Sequence, residues 1–176
     1  MSRVKILSTA GILGALSVLL MFLEFPIFPF ASFLKFDPSA LLIIASLFLF
    51  DWKTAVFSLI TKDLVFYFVK SGDLIGVSMD FIAILTFISI LTIFKLNIHK
   101  YIKFFVAAFG VGIAMVLMNM AIIPIYFKMS FNEAAKYFGL SSWTLIITII
   151  SFNLIKFITD AILGDLLYKR IKNFFS

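Results

Sequence analysis

Three polar side chains stand inside an otherwise apolar final segment, Ser151-Phe-Asn-Leu-Ile-Lys-Phe-Ile-Thr-Asp160: an amide at Asn153, an ammonium at Lys156 and a carboxylate at Asp160. At 3.6 residues per turn their i, i+3, i+7 spacing puts them on one helical face. Together they can donate and accept hydrogen bonds and carry charge of both signs, which is the chemistry of holding a polar small molecule. The plainer reading is an ion pair between Lys156 and Asp160, one turn apart, although such pairs alone stabilise helices weakly. Asn119 offers a second amide from the preceding apolar run, and Lys62, Asp63 and Asp80 place further charges in hydrophobic surroundings. Because Lys62 and Asp63 are adjacent, they point about 100° apart. One of them is expected to meet a ligand or a charged partner such as Asp80 or Asp160, and an interhelical salt bridge accounts for them equally well. Solvation near the outer surface is the plain account of Asp80.

The elements that must position these groups are set by composition. Of 176 residues, 63% are hydrophobic and 14% charged, 24 are Phe, and mean hydropathy is +1.16. Soluble domains carry about 25% charged residues, so a water-facing surface cannot be built from this chain, and the bilayer is its solvent. The formal net charge of +6 does not form a nucleic-acid patch, because the basic residues sit at the ends of apolar runs. Cysteine is absent, which excludes disulfides, thiolate metal sites and cysteine nucleophiles. The N-terminal apolar run to Leu23 is too long for a signal-peptide core and reads as an uncleaved first span.

The pattern predicts an all-α integral membrane protein: one compact six-helix bundle over residues 1–176, with helices at about 4–24, 38–50, 53–69, 75–94, 104–127 and 143–168. Phe25-Pro26 closes the first, since the residue before proline is pushed out of the α region. The apolar, two-proline stretch Phe25 to Phe36 is expected to fold over a site at the membrane surface. Asp37 reads as an N-cap with Pro38 at the first helical position. The second run is short for a span. Lys70-Ser71-Gly72-Asp73 reads as a turn, Pro124 is expected to kink or end the fifth helix, and a short amphipathic turn is predicted around Asn132 to Lys136. Arg3, Lys5, Lys53, Lys95, Lys100, Lys103, Lys169, Arg170 and Lys172 then fall on one side, against Lys35, Lys70, Lys128 and Lys136 on the other. The positive-inside rule makes both termini cytoplasmic.

Helix one carries two overlapping small-xxx-small registers, Ala10/Gly14 and Gly11/Ala15, which suit either packing within the bundle or docking of a second membrane subunit. Gly110 and Gly112 are a weaker version, expected to serve packing. Phe28, Phe30, Phe33, Phe36, Tyr126 and Trp143 near the outer mouth are candidates to stack on a flat ring. Catalysis finds no support: His99 stands alone in a basic loop, and no zincin, nucleophile-elbow or P-loop motif occurs. No metal ligand set is evident, and the chain cannot itself be an ATPase.

Several stretches resemble a known family. Leu16 to Pro29 (LSVLLMFLEFPIFP), Phe33 to Ser39, Lys62-Asp63-Leu64, Gly72 to Gly76, Asn119 with Ile123-Pro124-Ile125-Tyr126, and Phe152-Asn153-Leu154-Ile155-Lys156 are similar to the S component of an energy-coupling factor (ECF) transporter, most closely the riboflavin-specific type. The resemblance implies substrate contacts at Asn119, Asn153 and Lys156, with the first loop around Lys35, Phe36 and Asp37 closing over them; Asp80 is added from its position in the fourth run. It also implies docking of Ala10, Gly11, Gly14 and Ala15 on the ECF transmembrane coupling subunit and, through it, on two ATPase subunits. The flavin would be a transported ligand rather than a cofactor. The riboflavin pattern has Asn where this chain has Asp63 and Asp80, and an uncharged residue where it has Lys35. A lysine near the mouth would favour a phosphorylated flavin, so riboflavin and flavin mononucleotide both stand. The rival readings are an S component for another vitamin and a stand-alone proton-coupled transporter using Lys62, Asp63, Asp80 and Asp160. In the resulting picture Asn153 and Lys156 contact the ligand and Asp160 is the counter-charge of Lys156.

Overall fold

The computed structural model describes residues 3–69, 74–93 and 99–174. The Lys70 to Asp73 turn, Phe94 at the end of the fourth run and Lys95 lie outside the described residues. Among the described residues the chain forms α1 (Arg3–Met21), β1 (Phe25–Pro26), a 3-10 turn (Pro29–Ala31), β2 (Lys35–Phe36), α2 (Ala40–Leu49), α3 (Trp52–Val69), α4 (Leu74–Ile93), α5 (Lys100–Phe127), α6 (Phe131–Tyr137) and α7 (Ser142–Phe174). Four helices, α1, α4, α5 and α7, are long and apolar enough to cross a membrane. The 18-residue α3 is made less apolar by Lys53, Lys62 and Asp63, and α2 has 10 residues.

Several expected boundaries shift. The last helix begins at Ser142 and runs to Phe174, well past the expected end at Tyr168, and the fifth starts at Lys100. Pro124 does not break α5 within the bundle; the helix ends one turn later, with Lys128 in the left-handed region at φ 54°. Asp37 is not the N-cap of α2. Ser39 takes that position, and Asp37 lies two positions outside, accepting from the Ser39 backbone N–H at 3.1 Å. The amphipathic turn is α6, opened by a capping box in which Ser130 Oγ accepts from Glu133 N–H and the Glu133 carboxylate accepts from Ser130 N–H. Those bonds to its ionised form hold the Glu133 carboxyl below its ordinary range.

The core lies where α2, α4, α5 and α7 meet, around Ile43, Ile84, Phe87, Val111, Ile149 and Phe157. Close approach there depends on small residues. A Cβ on Gly112 would stand 3.2 Å from the Ile150 backbone of α7, and one on Gly164 would stand 3.0 Å from the Leu41 carbonyl of α2. Large side chains such as Leu19, Phe68, Leu117 and Ile147 point outward and are exposed. An apolar exterior over a tightly packed interior suits lipid as the surrounding solvent.

The two small-residue registers of α1 separate in space. Ala10 is buried, and a Cβ on Gly14 would come within 2.7 Å of the Ser58 carbonyl of α3, so that register packs inside the molecule. Gly11 has open space where its Cβ would be, and Ala15 is exposed.

Candidate functional site

The loop between α1 and α2 is built by its prolines and its one cross-pairing. Pro26 lacks an N–H and occupies the edge of a two-residue antiparallel ribbon, with Phe25 opposite Phe36 and Pro26 opposite Lys35. Pro29 opens the 3-10 turn, which buries Ala31, and the Phe33 ring lies 4.9 Å from that of Phe138 in the connection between α6 and α7. The loop is therefore fixed to the far side of the bundle and descends into it. Lys156, about 21 Å along α7 from its first residue, reaches Asp37 Oδ2 at 2.6 Å.

That contact belongs to a chain of buried ions. Lys156 Nζ also donates to Asp80 Oδ1 at 3.1 Å, and Asp80 Oδ2 accepts from Lys62 Nζ. Lys62, fully buried, has Asp63 Oδ1 at 2.9 Å as an ion-pair partner, not aligned for a hydrogen bond, and Met21 Sδ at 3.8 Å. Five elements are tied at one level: the loop, α1, α3, α4 and α7. Lys62 thus selects Asp80 of the two partners that the sequence offered. Asp80 is largely buried rather than solvated, so of the two accounts the sequence left open for it, plain solvation does not hold.

Asp160 departs from expectation most plainly. It is fully buried, yet neither carboxylate oxygen has a hydrogen-bond partner among the described residues, and Lys156 turns away to Asp37 and Asp80. The distant pairs win because each gives Lys156 a carboxylate aimed into the same space, whereas the i, i+4 neighbour lies along the helix surface.

The ion chain forms one wall of a cavity of about 280 Å³ that Asp37, Asp80, Asn119, Asn153 and Lys156 all line. This is close to the lower bound of about 300 Å³ for small-molecule sites. Each asparagine donates Nδ2–H to a carbonyl of its own helix, Asn119 to Met115 at 2.7 Å and Asn153 to Ile149 at 2.8 Å. Since a carbonyl can only accept, these bonds fix which end of each amide is nitrogen and leave each Oδ1 as a spare acceptor. The remaining walls are apolar and aromatic, with Phe33, Phe66, Phe152 and Phe157. Lys35 lines the mouth but is held by Glu24 at 2.9 Å, and Phe36 packs its ring 5.5 Å from that of Phe25 rather than on the cavity.

Of the aromatic candidates, Phe33 reaches the cavity, while Tyr126 and Trp143 are exposed away from it. Phe66, Phe152 and Phe157 are the rings that sequence reasoning missed. For the two on α7 the signal was available: Phe152 precedes Lys156 by one turn and Phe157 follows Asn153 by one turn, on the polar face itself. A larger hollow of about 710 Å³ lies between α3 and α4, but Asp63 and Ser78 are its main polar groups against a lining of exposed apolar chains. Convergent donors and acceptors, not volume, mark the smaller cavity as the site.

At the opposite end of the bundle a second ion cluster forms. Asp165 pairs with Lys100 and, at 3.1 Å, with Lys169, and the Lys100 ammonium lies 5.0 Å from the centre of the Phe48 ring and 5.9 Å from that of Tyr168. No cavity adjoins it among those described, and no metal-binding cluster occurs among the described residues.

An apolar exterior, a helical bundle and a cavity on which polar groups converge define a membrane-embedded helical protein with a candidate small-molecule site. A family profile described as ECF transporter, substrate-specific component, matches residues 5–168. The chain belongs to that family, a transporter component rather than an enzyme class. It is 30% identical over 182 residues to the riboflavin transporter RibU of Streptococcus thermophilus, covering 98% of this chain and 85% of the relative. It is 24% identical over 183 residues to the riboflavin transporter RibU of Leuconostoc mesenteroides, covering 97% and 93%. A solved S component of a bacterial ECF transporter superposes with a TM-score of 0.80 at 25% identity over 99% of both chains.

Proposed function

We propose that this chain is the substrate-binding subunit of an ATP-driven vitamin uptake transporter, taking a flavin, riboflavin or flavin mononucleotide, from outside a bacterial cell membrane and delivering it inward with the ECF coupling subunits. The observation that carries this is the convergence of Asn119, Asn153 and Lys156 on one cavity under the α1–α2 loop. The names of the two relatives supply the ligand class. Rings of Phe33, Phe66, Phe152 or Phe157 offer faces for a flat heterocycle, and the amide oxygens offer acceptors for its N–H and hydroxyl groups. Asp37 makes the loop part of the site.

The same reading gives six membrane passes with both termini cytoplasmic, α2 serving as a pass because the loop before it has already carried the chain into the bundle. The open Gly11/Ala15 face of α1 is the surface offered to the transmembrane coupling subunit, and through it to two ATPase subunits. The Ala10/Gly14 register is occupied by α3 and cannot serve that purpose intact.

The protein purified in detergent should quench flavin fluorescence with one-to-one stoichiometry, and protein prepared without added ligand should be checked for flavin absorption bands. Binding of a different vitamin with no flavin binding would keep the family and reject the ligand. Uptake into vesicles holding this chain alone, driven by a proton gradient, would reject dependence on ATPase partners.

A further inference from the structure

The cavity is rich in acceptors and has no unengaged cation among the described residues. Four of its polar groups end in oxygens that accept: the Oδ1 atoms of Asn119 and Asn153, whose nitrogens are committed to their own helices, and the carboxylates of Asp37 and Asp80. Both lysines that reach the lining are already held, Lys156 between Asp37 and Asp80 and Lys35 by Glu24. Behind the wall, Lys62 is satisfied by Asp80 and Asp63, while Asp160 adds a buried carboxylate with no hydrogen-bond partner among the described residues. Around the ion chain, Asp37, Asp63, Asp80 and Asp160 outnumber Lys62 and Lys156.

We infer that Asp80 and Asp37 are specificity-determining residues that restrict this site to uncharged, donor-rich ligands and exclude anionic ones, so that among flavins it takes the free alcohol and rejects the phosphate ester. The inference rests on the flavin reading. A hydroxylated side chain can donate O–H to Asp37 or Asp80 without disturbing Lys156. A phosphate dianion brings acceptors only. Lys156 keeps one N–H beyond those given to Asp37 and Asp80, but a phosphate that accepts it stands beside both carboxylates, and the like charges repel. The lysine at the mouth, which by sequence favoured a phosphorylated ligand, is spoken for by Glu24.

The test is fluorescence-quenching titration of the purified full chain with riboflavin and with flavin mononucleotide, in wild type, Asp80→Asn and Asp37→Asn. Wild type is expected to prefer riboflavin by about 100-fold or more, the scale of juxtaposed like charges. Asp80→Asn, which keeps shape and removes charge, is expected to narrow that ratio to within about 10-fold, the span of 1.4 kcal/mol, and Asp37→Asn to narrow it less. A competition on wild type alone, needing no variant, uses a riboflavin analogue whose terminal hydroxyl is replaced by an amine. It is expected to compete better than the phosphate ester. Equal wild-type affinity for the two flavins, an unchanged ratio in both variants that still bind riboflavin, or an amine that competes worse than the phosphate ester each overturns the inference. Failure of wild type to bind either flavin is a different pattern, and it rejects the flavin reading together with what rests on it.

Discussion

The molecule holds two clusters of buried or half-buried charge, one near the middle of α7 and one towards its C-terminal end, and they are built differently. Around Asp165 a single carboxylate, nearly inaccessible, is shared by two lysines whose side chains are 41% and 54% exposed, and aromatic rings flank Lys100. Around Lys156 the ions alternate through four elements, two carboxylates have no hydrogen bond among the described residues, and a cavity opens on one side. The contrast teaches that buried charge alone does not mark a binding site. Spare acceptors lining a cavity do, as the Oδ1 atoms of Asn119 and Asn153 are, because they represent hydrogen bonds that the protein does not make with itself.

Mutation of the two lysines should separate the clusters most sharply. Lys156→Ala strands Asp37 and leaves Asp80 to Lys62 alone, and is expected to cost about 3–5 kcal/mol of stability, the usual penalty for removing one partner of a buried pair, while abolishing flavin binding. Lys100→Ala leaves Asp165 with Lys169 near water, and is expected to cost no more than about 1 kcal/mol. Thermal unfolding of both variants in detergent checks this; similar losses would erase the distinction.

The two registers of α1 give the next largest difference. Gly14→Leu drives a side chain into the α3 backbone and is expected to cost about 1–3 kcal/mol through overpacking. Gly11→Leu enters open space, and should leave melting temperature and flavin affinity unchanged while impairing ATP-driven uptake in the assembled transporter. Uptake assays in reconstituted vesicles, with binding measured in parallel, read out both.

A smaller effect belongs to Asp51, which caps α3 by accepting from Thr54 N–H and Thr54 Oγ–H, each at 2.7 Å. Those bonds hold the Asp51 carboxyl below its ordinary value of 3.8. A depressed carboxyl stabilises the folded state above its unfolded pKa, and that contribution is lost as pH falls through the lower, folded value. Asp51→Ala is expected to cost about 1 kcal/mol at neutral pH and to flatten the stability profile at the acid end, as measured by unfolding across that range.

What was legible in the sequence follows from the reach of each signal. Long apolar runs declare α1, α4, α5 and α7 because length and composition alone decide them. Asn119, Asn153 and Lys156 were visible as polar groups in apolar helices. The partner of Lys156 was not, since Asp37 lies 119 residues away in sequence and Asp160 is the neighbour that spacing suggests. Nor could sequence show that Asp37 stands outside α2: an Asp-Pro-Ser start fits a cap equally well, and the ion pair with α7 selects the alternative. The role of Lys35 changed for the same reason, because Glu24 comes beside it only when the ribbon closes.

The length of α7 has a mechanical meaning. Its 33 residues form an unbroken helix about 50 Å long, against about 30 Å of hydrocarbon core. One stiff rod thus carries Lys156 in the cavity wall and Lys169, Arg170 and Lys172 at its foot. A tilt of about 10° displaces one end relative to the other by roughly 9 Å sideways. A push on the basic foot is therefore felt at the pocket as a lever feels it, with no hinge between to absorb the stroke.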